Sequence, residues 1–118
     1  MVLLPFKSAK NVIGGISDSI SGSASSAYTA IIDFPCLGIL HKTVHLKNTD
    51  SVLSLKYRVL TYAHTTDDAI PYEEVAETVL AAGDVAQIVL NYAYARIIVE
   101  AMRVTDDCPY QLDYVGVP

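Results

Sequence analysis

Residues 72–104 read YEEVAETVLAAGDVAQIVLNYAYARIIVEAMRV, and whether this stretch is helix or strand decides the fold. Tyr72–Gly83 contains good helix formers with a glycine stop, and Asp84 to Gln87 matches a capping box opening a helix toward Met102. Against that, Ile97, Ile98 and Val99 would surround the axis of such a helix, leaving it apolar on nearly every side. A helix of that kind needs burial all round, which one small domain cannot supply. As strands, the same residues sort cleanly: Gly83-Asp84 turns, Ala86, Ile88 and Leu90 share a face, and Asn91-Tyr92 turns again. Ile97, Val99 and Ala101 then oppose Arg96, Ile98, Glu100 and Met102. The stretch reads as strands.

The flanking sequence follows the same period of two. Ala27–Asp33 is rich in β-formers and stops at Phe34-Pro35. In Ile39–Lys47, Val44 and Leu46 oppose Thr43, His45 and Lys47; after the turn cluster Asn48 to Ser51, Leu53, Leu55, Tyr57 and Val59 oppose Ser54, Lys56 and Arg58. Tyr110, Leu112 and Tyr114 share a face of the last run, Tyr110–Val115. Strands at a spacing of roughly ten residues with turn signals between them indicate an antiparallel sandwich. The expected fold is all-β: an antiparallel β-sandwich, jelly-roll or immunoglobulin-like, of about 7–8 strands.

Residues 1–27 differ. From Ser8 to Ala27 the sequence is SAKNVIGGISDSISGSASSA, costly to order and poor in bulky side chains, yet studded with Val12, Ile13, Ile16 and Ile20. The expectation is an extended, flexible Ser/Gly-rich arm over 1–27 that orders when it docks on a neighbour, with the sandwich domain over 28–118. A first strand of the same domain is the other reading. If the arm is separate, removing residues 1–26 leaves a folded sandwich that no longer assembles.

The chain has 118 residues, enough for one core, and 52% of them are hydrophobic against 18% charged, which excludes a disordered chain. A net charge of −5 argues against nucleic acid as a partner. The N-terminal MVLLPFK lacks the order of a signal peptide, and no apolar run approaches the roughly 18–20 residues that span a bilayer, so no membrane role is expected.

No residue pattern indicates a reaction, and the expectation is a protein that is not an enzyme and takes no cofactor. His41 and His45 share a strand face but lie about 13 Å apart, too far to chelate one ion. Asp67, Asp68, Glu73, Glu74 and Glu77 form an acidic rim without calcium-loop spacing, so no metal is expected. The glycines match no phosphate-binding loop, and no serine stands in a nucleophile elbow. Cys36 and Cys108 either pair across adjacent strand ends or stay as buried thiols. Eight tyrosines and no tryptophan favour contacts with protein over sugar stacking; Tyr28, Tyr92 and Tyr94, near strand ends, join the four apolar arm residues as candidate interaction residues.

The stretches KTVHLKNTDSVLSLKYRVLTYA (42–63), 72–102 and YQLDYVG (110–116) resemble small β-sandwich virion structural proteins of tailed phages and related viruses. The shared text is a strand ending in LKN, an SLKY strand, an LAAGD turn, a YARI strand and a closing Y-LDY-G strand, covering about residues 28–116. The resemblance implies a capsid-associated decoration (cement) subunit, or a related head or tail component. Such a subunit is made in the host cytoplasm, resides in the virion, and contacts the major capsid protein, other virion subunits or copies of itself as a homo-oligomer. The competing expectations are a filament subunit polymerising by strand donation from residues 9–22 and a carbohydrate- or receptor-binding module.

Overall fold

Alternation of buried and exposed side chains is the mark of a pleated strand, and it runs through residues 41–48, 55–62, 85–90 and 108–117. In a computed structural model describing residues 10–12 and 15–118, the described residues form nine strands and no helix. These are β1 (Lys10–Val12), β2 (Gly15–Ala24), β3 (Thr29–Pro35), β4 (His41–Asn48), β5 (Leu55–Tyr62), β6 (Tyr72–Leu80), β7 (Val85–Leu90), β8 (Arg96–Arg103) and β9 (Cys108–Val117). The stretch 72–104 is therefore three strands, β6 to β8. Gly83 allows the tight β6–β7 turn by adopting φ 78°, a conformation that costs other residues.

Two antiparallel sheets result, one ordered β1-β2-β9-β4-β7 and the other β3-β8-β5-β6. From β2 on, each strand pairs with its counterpart counted from the other end: β2 with β9, β3 with β8, β4 with β7, β5 with β6. The sandwich is thus a long hairpin rolled on itself, the jelly roll of the two expected types. Facing residues fill the core: Ile16, Val44, Leu46, Ile88, Leu90, Leu112 and Tyr114 from one sheet, Ile32, Phe34, Leu55, Tyr57, Val59, Ile97, Val99 and Ala101 from the other. Each large side chain buried there contributes roughly 1.5–3 kcal/mol. The rings of Phe34 and Tyr114 stack between the sheets, with centroids 5.9 Å apart.

The expected arm over 1–27 meets a different arrangement where the structure describes it. Gly15–Ala24 is a full strand of the five-stranded sheet, with Ile16 to Ala24 opposite Gly116 to Cys108 of β9. Ladder bonds are main-chain bonds, so a run of serines forms them as readily as valines do. Ile16 and Ala24 are buried in the core, while Ser19, Ser21 and Ser23 face outward. Removing residues 1–26 would strip a strand from the sandwich rather than trim an appendage. Ile13 lies outside the described residues.

The cysteines do not pair; both are buried free thiols, near opposite ends of β4. The Cys36 thiol donates to the Tyr94 carbonyl at 3.2 Å, and the Cys108 thiol to Asn48 Oδ1 at 3.2 Å. Asn48, fully buried, organises its end of the sandwich. Its Nδ2 donates to the carbonyls of Leu53 (2.8 Å) and Leu80 (3.0 Å), and its Oδ1 accepts from the Asp50 amide (2.9 Å). The 49–54 turn is thereby fastened to β6.

A candidate interaction surface

Three connections gather at the other end of the sandwich: residues 36–40 between β3 and β4, 63–71 between β5 and β6, and 91–95 between β7 and β8. Main-chain bonds lace them together, Cys36 N–H to Ala95 O (3.0 Å) and Ala95 N–H to Tyr62 O (2.9 Å). Beneath them lies Lys42, only 2% exposed because it shares the inward parity of Val44 and Leu46 on β4. Its Nζ donates to the carbonyls of Ile39 (2.7 Å), Leu40 (2.8 Å) and Tyr92 (3.0 Å), so all three donors are used. Burial lowers the Lys42 pKa from its ordinary value. The ammonium clamps two loops, each of which crosses between the sheets, into one platform.

Tyr94 stands at the centre of that platform and lines two shallow hollows. One is bounded by Cys36 to Leu40 and Ala93, the other by Thr61, Tyr62, Ala63, Ile70, Tyr72, Glu74 and Ala93. The Tyr94 hydroxyl donates to Glu74 at 2.7 Å, and Tyr92 meets its ring edge-on at 6.2 Å. Burial, reinforced by the Glu74 carboxylate, raises the Tyr94 pKa. Arg96 closes the rim with a two-pronged pair to Asp33, both contacts at 2.8 Å, and lies 5.3 Å from the Tyr62 ring centroid. Large apolar side chains project from this frame into solvent: Leu37 (71% exposed), Ile70 (86%), Tyr72 (66%) and Tyr92 (72%). Aromatic side chains, apolar neighbours and a charged margin thus share one end of the sandwich, the composition found at protein interfaces.

Of the residues expected at an interface, Tyr92 and Tyr94 are the two that come together here among the described residues. Tyr28 is on the outer face of the four-stranded sheet, its hydroxyl donating to Glu77 (2.6 Å) and its ring 4.2 Å below the Arg58 guanidinium. Ile16 is in the core, Ile20 packs against it, and Val12 lies in β1 opposite Gly15. Leu37, Lys42 and Ile70 did not stand out in the sequence. The signal for Lys42 was its parity with Val44 and Leu46. The loop residues offered none, because three separate connections meet only after folding.

The other candidates disperse. His45 faces outward with Nε2 2.9 Å from Gln87 Nε2, and His64 Nδ1 accepts from the Thr66 amide at 3.2 Å. In the acidic rim, Glu74 holds Tyr94, Glu77 holds Tyr28, and Asp67 lies 3.9 Å from Arg96. Among the described residues, no three His, Cys, Asp or Glu side chains gather to hold a metal ion. No helix among them is long and apolar enough to cross a membrane.

No protein-family model matches the chain, and no curated protein matches its sequence. Solved structures do share the fold. The mitogen of Yersinia pseudotuberculosis superposes with a TM-score of 0.57 at 11% identity, covering 86% of each chain. A subunit of Bacillus endospore appendages, described as a family of disulfide-linked pili, gives 0.53 at 11% identity over 99% of this chain and 98% of that one. The SPBc2 prophage-derived protein YomS gives 0.51 at 14% identity over 89% and 99%. At these identities the likeness is one of fold alone.

Proposed function

We propose that the chain is a non-enzymatic structural subunit of a virion, a capsid-associated decoration protein or related head–tail component that works through subunit–subunit contacts. The observation that carries this reading is the platform of Leu37, Ile70, Tyr72 and Tyr92, four large apolar side chains exposed at one end of the sandwich. Water contact of that extent is unfavourable unless a partner covers it. The shared fold fits, since an appendage subunit and a prophage protein use the same jelly roll. Many copies on a closed shell turn modest contacts into firm attachment.

A filament subunit is the second reading, favoured by the near-complete overlap with the endospore appendage chain. Two features of this chain count against copying that arrangement. Both of its cysteines are buried, and β2, which makes up much of the proposed donor segment, is already held by β9. Light scattering and negative-stain electron microscopy of the full chain test both readings. Closed or particle-bound oligomers are expected; unbranched fibres would favour the filament, and a chain that stays monomeric at every concentration would overturn both.

A further inference from the structure

The four sheet edges are not equally protected. Edge strands attract foreign strands, and proteins blunt them with charge, proline, bulges or brevity. Here β6 carries Glu73, Glu74 and Glu77 and pairs irregularly with β5 at two places. β3 contains Asp33, ends in Pro35 and shifts register between Ala30 and Ile32. β1 has three residues and a lysine. β7, the sixth strand of the roll, reads VAQIVL: no charge, no proline, no glycine, and an unbroken register with β4. Val85 and Val89 are exposed on its outer face at 55% and 53%.

The hydrogen bonding of β7 fixes which of its groups are free. The Asn48 amide donates to the Asp84 carbonyl (3.0 Å), and the Asn48 carbonyl accepts from the Gly83 amide (3.0 Å), so the ladder is bonded at that step. Bonded steps alternate along an antiparallel pair. With Leu46 opposite Ala86, Val44 opposite Ile88 and Lys42 opposite Leu90, the even residues of β7 bond to β4. Val85, Gln87 and Val89 therefore aim N–H and C=O outward from the edge. A second β7 related by a two-fold axis through Gln87 meets these groups in register, Val85 opposite Val89 and Gln87 opposite Gln87. Opposed side chains also fall on the same faces, valine against valine outside and Ala86 against Ile88 inside. No like charges meet, whereas the same contact at β6 would oppose carboxylates.

We propose that β7 is a self-association edge, joining two copies of this chain antiparallel about Gln87 and continuing the five-stranded sheet into its partner. The inference specifies one contact of the assembly proposed above and rests on that reading. Six strand residues make a small interface, weak alone and effective when copies are already neighbours on a particle.

The test is disulfide trapping in the full chain. In this register the two Gln87 Cα atoms lie about 5.5 Å apart, inside the roughly 4.4–6.8 Å window of a disulfide. Gln87→Cys should give a covalent dimer on mild oxidation. Val85→Cys, whose two copies lie about 13 Å apart along the strands, should give at least tenfold less. Gln87→Pro removes an outward amide and one exposed side-chain contact, to His45, so it should nearly keep the circular dichroism and melting curve of the parent while losing its self-association. Equal trapping at Val85 and Gln87, or undiminished association of a folded Gln87→Pro chain, overturns the β7 contact while leaving the assembly reading intact. A parent chain that is monomeric at every concentration overturns both.

Discussion

The Lys42 ammonium lies 5.3 Å from the centroid of the Tyr94 ring, so the residue that pins the loops also supports the central aromatic of the surface they form. A cation against the face of a tyrosine is attracted by the ring quadrupole, and more strongly where water is excluded. Fold and candidate interface share one contact.

Lys42→Met should destabilise the chain by about 2–4 kcal/mol, because methionine fills the stem volume but leaves three carbonyls without their donor. Urea denaturation monitored by tyrosine fluorescence reads this directly. A loss under about 1 kcal/mol would mean that water replaces the ammonium without penalty.

Asn48→Ala should cost a similar amount, about 2–4 kcal/mol, since four hydrogen bonds end on one buried side chain. Asn48→Asp keeps the shape but loses both Nδ2 bonds and brings in a charge, so it should be no better tolerated. Midpoints from parallel urea titrations of the two variants decide the matter.

Stability should fall as pH rises past about 9, the region where ordinary thiols and phenols begin to ionise. Burial raises the pKa of the Cys36 and Cys108 thiols and of the Tyr94 and Tyr114 phenols; burial with the Glu77 hydrogen bond raises that of Tyr28. The folded chain thus keeps protons that the unfolded chain releases, and stability declines with pH in that window. Lys42 acts in the opposite sense: its lowered pKa makes the unfolded chain the better proton binder just below the usual lysine range. With the Tyr110 phenol also raised by burial, one group against six leaves the decline in control. Melting temperatures from pH 7 to 11 test the sign, and Tyr94→Phe should make the slope shallower.

Gly22 and Tyr110 oppose each other across β2 and β9, and a Cβ on Gly22 would fall 2.5 Å from the Tyr110 hydroxyl. Gly22→Ala should therefore displace the ring and cost about 1 kcal/mol. In a Tyr110→Ala background the same change should be close to neutral. A double-mutant cycle showing no coupling would refute the pairing.

Replacing Leu37, Ile70 and Tyr92 together by serine should leave stability within about 0.5 kcal/mol per site, because exposed side chains carry little of the fold. Association, read by light scattering at matched concentrations, should drop sharply. Unchanged association would move the adhesive surface elsewhere on the molecule.

The period of two was legible wherever one side of a strand is dry. Val44 with Leu46, Leu55 with Tyr57 and Val59, and Leu112 with Tyr114 all face inward as their spacing requires. The jelly roll itself was not legible, because periodicity says which way side chains point and nothing about which distant strand lies alongside. The same blindness hid β2: its serines carry no hydrophobic signal, and the partner that holds it is about ninety residues away. The surface was half legible. Tyr92 and Tyr94 stood out by composition, but Leu37 and Ile70 reach them only through the loop junction over Lys42.

The pairing of β2 with β9 also sets a timetable. In a ribosome-made chain β2 emerges early, yet its neighbour β9 follows about ninety residues later, and β4 waits for the same neighbour. The five-stranded sheet therefore cannot close until residues 108–117 have been made. A nascent chain stalled before residue 108 would hold two strand edges open, a state in which chaperones or sister polypeptides find an easy grip.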